Sequence, residues 1–131
     1  MCRLTTCPDF GVHYKGRPSA VDLAITNSSS SLLVAVEVKR LRSGTSYLDS
    51  DFEKLAAVLR ANTSTQAFVV VTSQGRAPRQ FLSEDRTRAT REVIWNDDSF
   101  EAVVRRNYKA LSSIHSGGGC WATLLEIRSG R

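Results

Sequence analysis

The feature that most narrows the fold is a pair of alternating apolar runs, VDLAIT and LLVAVEVK, parted by Asn27 and four consecutive serines. Apolar and polar side chains alternate in both runs, and β-branched residues are frequent, so residues 20–26 and 32–39 read as two strands of a hairpin. The serine run is too short for a domain linker and reads as its turn.

The segments after the hairpin set the fold class. Leu48, Phe52, Leu55, Ala56 and Leu59 form one apolar face, predicting a helix over 48–61 with Ser50 and Glu53 as a capping box. Asp49, Asp51 and Glu53 suit the positive end of its dipole. QAFVVVT at 66–72 is continuously apolar, the pattern of a strand buried on both faces. Strand, helix and buried strand in that order predict a crossover in an α/β protein with a mixed sheet flanked by helices. A short strand is expected at 12–15, a polar arginine-bearing loop at 75–91 and another short strand at 92–95. A second capped helix is expected at 99–114, with Asp98 and Glu101 as its box and Phe100, Val103, Val104, Tyr108 and Leu111 inward. Residues 116–119 end that helix, and 120–127 form a last strand. At 131 residues one domain is expected, with its core at about 12–73 and a helix–strand extension at about 76–128.

Composition narrows the function classes. No apolar run approaches the roughly 20 residues that span a bilayer, and MCRLTTCPDF has no apolar h-region, so a cytoplasmic protein is expected. Cys2, Cys7 and Cys120 form an odd set without CxxC spacing, which argues for reduced thiols rather than a zinc site or disulfide framework. The net charge is +5, and fourteen of the eighteen basic residues are arginine. The guanidinium fork suits phosphates, so nucleic acid is a natural partner, although a solvated basic surface has the same composition.

Charge within the hairpin points to chemistry. If the turn is symmetric about the serines, paired residue numbers sum to 59, and Asp22 faces Glu37, Ala24 faces Ala35 and Ala20 faces Lys39. These six side chains share one face. Val21, Leu23, Ile25, Leu32, Val34, Val36 and Val38 share the other, which is the expected core surface. Carboxylates directly opposed across a strand pair have Cβ atoms roughly 4.5–5.5 Å apart and repel. A divalent cation such as Mg²⁺ removes that repulsion, binding one or two carboxylates and completing its octahedron with water and phosphate oxygens. Lys39 is placed to orient a water or to steady developing negative charge. Two readings of this face stay open: a site for phosphodiester hydrolysis, or the polar side of a half-exposed hairpin with Lys39 bridging Glu37.

Asp22 followed by Glu37-Val38-Lys39, then a helix and a strand, resembles the core of the PD-(D/E)xK nucleases, the restriction-endonuclease-like superfamily. The resemblance covers about residues 12–73. It implies that Asp22 and Glu37 ligate Mg²⁺ or Mn²⁺ with the Val38 carbonyl as a third ligand, and that Lys39 is the catalytic lysine. A Pro-Asp at Pro8-Asp9 ranks below Asp22, having no strand around it. The family's opening helix, which often carries a further acidic residue, has no counterpart in residues 1–11. Its place falls to the C-terminal helix or to a second subunit, or else the site is incomplete.

The expected activity is therefore metal-dependent endonucleolysis of DNA by a homodimer. Arg40, Arg42, Arg76, Arg79, Arg86 and Arg88 would hold phosphates. The alternative is a catalytically silent nuclease-like fold serving as a nucleic-acid-binding or protein-interaction module. Trp95, Trp121 and Tyr108 lie in apolar-periodic segments and read as core.

Overall fold

The structure, a computed structural model, describes residues 3–6, 13–14, 17–18, 20–110 and 119–130, with side chains from residue 20 onward. Its strands are β1 (Arg3–Thr6), β2 (His13–Tyr14), β3 (Arg17–Pro18), β4 (Leu23–Thr26), β5 (Leu32–Arg40), β6 (Gln66–Gln74), β7 (Val93–Asn96), β8 (Phe100–Ala110) and β9 (Cys120–Ser129). Seven of them form one mixed sheet in the order β1-β4-β5-β6-β9-β8-β7, and β2 pairs with β3 apart from it. Among the described residues there is one α-helix, α1 (Asp49–Ala61). None is long and apolar enough to cross a membrane.

The hairpin β4–β5 has the register expected from the serine centre: Leu23 opposes Val36, Ala24 opposes Ala35 and Ile25 opposes Val34. A slip beside the turn then sets Thr26 against Leu32. Asn27 closes the turn. Its Oδ1 accepts from the N–H groups of Ser29 and Ser31, each at 3.0 Å, and its own N–H donates to the Ser31 carbonyl. Ser30 takes φ 63°, a left-handed conformation that a short polar residue tolerates better than a branched one.

From β5 the chain crosses through α1 to β6, which pairs with β5 in parallel from Val34 opposite Gln66 to Arg40 opposite Thr72. The expected hairpin, helix and buried strand thus occur in that order. The capping box does not form. A 3-10 turn at Ser46–Leu48 leads into the helix, whose N-cap is Leu48 without a side-chain cap bond, and Ser50 falls inside the first turn.

Two expectations are overturned. Residues 99–110 are not a helix: Phe100–Ala110 is β8, paired with β9 along its whole length, while residues 111–114 lie outside those described. The Asp97 carboxylate accepts from Ser99 N–H at 2.8 Å and Phe100 N–H at 2.7 Å, and Asp97 N–H donates to the Phe100 carbonyl. Those bonds close a tight turn between β7 and β8 instead of starting a helix. Both periods fit the apolar positions of this segment, and pairing with β9 decides between them.

The second correction concerns which face is core. Ala24, Ala35 and Glu37 face the helix; of the expected core surface Val21 and Leu32 are buried, whereas Leu23, Ile25, Val34 and Val36 are only half-buried and Val38 is exposed. Small side chains make this possible. Ala24, Ala35 and Ala67 leave room for Phe52 and Leu55 of α1, whose side chains are fully buried against Val69, Val71 and Leu125. A face of valines would hold the helix farther away. Beyond α1 the same side of the sheet carries the 75–91 segment, anchored by fully buried Phe81. The Phe81 carbonyl accepts from Asn107 Nδ2 at 3.1 Å.

The turn chemistry yields a stability prediction. Asn27→Ala removes two side-chain acceptor bonds from the hairpin and should cost about 1 kcal/mol in urea denaturation. Ser29→Ala, which leaves the Asn27 bonds in place, should change stability by less than half that amount.

Candidate functional site

Asp22 lies in a bend just before β4, beyond the last strand pair, so its side chain is free to turn along the edge of β5. Its Oδ2 accepts from Val38 N–H at 2.7 Å. The N–H and C=O of a strand residue leave by the same edge, so the Val38 carbonyl points toward the Asp22 side too. One residue earlier, Glu37 projects beneath α1 and is 2 % exposed. The Asp22 charge is close enough to act on its carboxyl. The strand pairing ends at Leu23 opposite Val36, so Asp22 is not paired across from Glu37 but stands at the β5 edge beside it, and Lys39 shares the Glu37 face.

The helix contributes two charges that the sequence pattern did not assign to the site. Lys54 ion-pairs with Glu37 Oε1. Asp51, 4 % exposed, sits 3.4 Å from the Lys39 ammonium, whose side chain stays 41 % exposed at the mouth of the pocket. Three carboxylates and two ammonium groups therefore converge between β5 and α1. A signal existed in the sequence: Asp51, Lys54 and Val58 occur at i, i+3 and i+7, placing two charges beside a buried valine. Asp51 had an adequate explanation as a helix-dipole partner, which hid its inward position.

Burial dominates the electrostatics. Desolvation pushes the Glu37 carboxyl up to about 7, with the Asp22 charge adding to the rise and Lys54 opposing it. Asp51 is also raised, again by burial, against the pull of Lys39 and Lys54. Near neutral pH Glu37 is thus close to half-protonated, and the proton relieves the repulsion that a cation would otherwise remove. Glu37 Oε1 and Asp51 Oδ2 are buried next to ammonium groups without an aligned hydrogen bond. These oxygens and the Val38 edge are hard donors that suit Mg²⁺ or Mn²⁺. Among the described residues no three His, Cys, Asp or Glu side chains gather closely enough to cage a metal.

The arginines divide into groups. Arg76, Arg79 and Arg86 line a cavity of about 500 Å³ with Gly75 and Gln80, and no acidic side chain lines it. Gln80 ties this wall to the pocket's rim, its Nε2 donating to the carbonyls of Arg42 at 2.9 Å and Gly44 at 3.2 Å. Arg86 also lines a second cleft with Arg88, joined there by Arg105, Arg106 and Trp121, which the sequence pattern did not place in the site. Arg40 and Arg42 are exposed near Lys39 and line neither cavity. Of the aromatics, Trp95 packs on Phe52 with ring centroids 5.7 Å apart, as a core residue should. Tyr108 is exposed instead, under the Arg106 guanidinium, and Trp121 is half-buried. Pro8, Asp9, Cys2 and Cys7 lie outside the described residues, and Cys120 is a free thiol.

Compared with protein-family models, curated proteins and solved structures, the chain matches none.

Because the folded-state Glu37 carboxyl titrates near 7 and an unfolded one near 4.5, the native state binds the extra proton between those values. Stability from this group is full below about 4.5 and is lost as pH rises through about 7. The shift corresponds to roughly 3 kcal/mol as an upper bound. Glu37→Gln should abolish this component. Urea denaturation at pH 5 and pH 8 should show wild type losing stability relative to Glu37→Gln at the higher pH.

Proposed function

We propose that the chain is a metal-dependent phosphodiesterase acting on DNA, built on a restriction-endonuclease-like core of hairpin, helix and parallel strand. The observation that carries this reading is the meeting of Asp22 and Glu37 on the hairpin, with Lys39 two residues along on the same face. Asp22, Glu37 and the Val38 carbonyl hold Mg²⁺ or Mn²⁺. When bound, the ion polarises the phosphodiester and acidifies a water.

The chain's own groups have distinct tasks. Asp22 is fixed by Val38 N–H, so one carboxylate is oriented before any ligand arrives. Glu37 gives up its proton when the cation binds, which couples binding to pH. Lys39 is a charged donor at the solvent-facing mouth, held by Asp51, and it orients the attacking water and offsets charge on the phosphoryl oxygens. An ammonium already paired with a carboxylate is a donor and not a base, so the water's proton leaves to solvent or to a phosphate oxygen. Lys54 neutralises Glu37 while the cation is away.

A second reading is favoured by the lysines. Lys54 and Lys39 already neutralise much of the pocket, so the same fold also suits a module that binds nucleic acid without cutting it. An oligonucleotide cleavage assay separates the two. With Mn²⁺ or Mg²⁺ wild type should cut DNA, EDTA should stop it, and Asp22→Asn, Glu37→Gln and Lys39→Ala should each lower the rate by about 10² or more. Equal rates in wild type and variants would mark a contaminant and overturn the assignment. Salt-sensitive binding without metal-dependent cutting would leave the silent module.

A further inference from the structure

The cleft beyond the arginine cavity has a composition that phosphate binding alone does not require. It holds about 330 Å³ and is lined by Arg86, Arg88, Arg105, Arg106, Asn107 and Trp121, among others. Trp121 is the aromatic surface in this basic wall. The Lys109 ammonium stands over its ring, 5.2 Å from the centroid, and the half-buried residue lines the cleft.

From these observations we propose that the cleft seats an unpaired nucleobase against Trp121, and that the substrate is a single strand, or a single-stranded segment, running from this cleft to the acidic pocket. The proposal rests on the nuclease reading for what happens at the pocket, but the cleft stands without it.

The four guanidinium groups of the cleft differ in their partners, and that of Arg106 lies over the Tyr108 ring. Among the described residues Arg86 and Arg88 form no ion pair, and Arg105 reaches Glu126 at 3.2 Å. The segment that presents Arg86 and Arg88 is a small closed loop. Leu82 bridges Ala89, Ser83 N–H donates to the Arg88 carbonyl at 2.8 Å, and Asp85 Oδ1 accepts from Ser83 Oγ, Thr87 N–H and Thr87 Oγ1. With three donors on one oxygen, the Asp85 carboxylate is committed to the loop. Arg86 takes φ 59°, a left-handed conformation held at a conformational cost. A bulge between Val104 and Arg106 adds two successive arginines on the opposite wall.

Cleft and pocket lie on one line. Lys39 pairs with Val71, Val71 with Thr123 and Thr123 with Asn107, so the same cross-strand row begins at the acidic pocket and ends at the cleft. Three strand spacings are about 14 Å, or roughly four nucleotides at the rise of one stacked strand. Arg86 lines both the cleft and the Arg76–Arg79 cavity, which joins the two basic surfaces along that span. Stacking on an indole requires an exposed base face, and in a duplex both faces are covered by neighbouring pairs. A duplex would meet the arginines but not Trp121.

Fluorescence anisotropy with labelled oligonucleotides in EDTA tests the cleft apart from any cleavage. A single strand should bind about tenfold or more tighter than a blunt duplex of equal length, with quenching of tryptophan fluorescence. Trp121→Leu should remove most of that preference, and Trp121→Phe should keep it. Arg88→Ser, at an exposed position, should weaken single-strand binding and lower its salt slope by about 0.7. Thermal melting of each variant checks folding, so Arg88→Ser decides the matter if Trp121→Leu is unfolded. Equal or tighter duplex binding, or an unchanged salt slope in Arg88→Ser, overturns the cleft. Single-strand preference without cutting in Mn²⁺ upholds the cleft and overturns the nuclease reading alone, and cutting without single-strand preference does the reverse.

Discussion

A helix resting on an alanine-lined sheet face is the constraint on which the rest of this molecule depends. Ala24, Ala35 and Ala67 let Phe52 and Leu55 descend close to the strands, and that approach buries whatever else shares the face. Glu37 does share it, two residues after Ala35, so its carboxylate goes under the helix with the core. Desolvating it is costly, and the structure responds with Lys54 from above and with a raised affinity for a proton. Buried ion pairs rarely stabilise a fold more than well-packed apolar side chains do. A valine or alanine at position 37 would extend the alanine–valine surface beneath α1 with no charge to compensate. Stability therefore does not account for a Glu at this place.

The charge layout around that pocket has a consistent division. Carboxylates occupy the enclosed side, between β5 and α1, and arginines occupy the open side, on the segment after β6 and on β8. A polyanion drawn in by the arginines would be repelled by three uncompensated carboxylates. The lysines prevent this in the resting pocket, and a divalent ion would reverse the local sign altogether. Gln80 makes the two regions one unit by bonding the 42–44 backbone to the arginine segment, so movement of one is felt by the other.

How much was legible in the sequence varied with the range of the interaction. The hairpin register could be read because the serine centre and the period-two pattern are local and agree, and three strand pairs fall where expected. The crossover could be read because α1 has a strong 3.6-residue face and β6 is apolar throughout. The buried face could not, since the face that carries Asp22, Glu37 and Lys39 also carries the alanines, and the choice depends on the size of side chains arriving from α1. Residues 100–110 satisfied a helical pattern as well as an alternating one, and only the partner strand β9, some twenty residues later, settles the conformation. Asp51 and Lys54 were hidden differently: each has an ordinary role on an isolated helix, and their site appears only when the helix docks.

The mistaken helix has the largest consequence for function. As a helix, residues 99–114 would have packed Tyr108 inward and supplied an acidic residue from the C-terminal part of the chain. As strand β8 they extend the sheet by pairing with β9, and that extension brings Arg105, Arg106 and Trp121 to the same end of the sheet as Lys39. The further carboxylate beside Glu37 comes instead from α1, as Asp51. The charges that meet between β5 and α1 thus come from one stretch of chain, from Asp22 to Lys54. The C-terminal hairpin is left to form a surface beside it, and a strand pair with a bulge suits that role because alternate side chains stand out from one face in a fixed spacing.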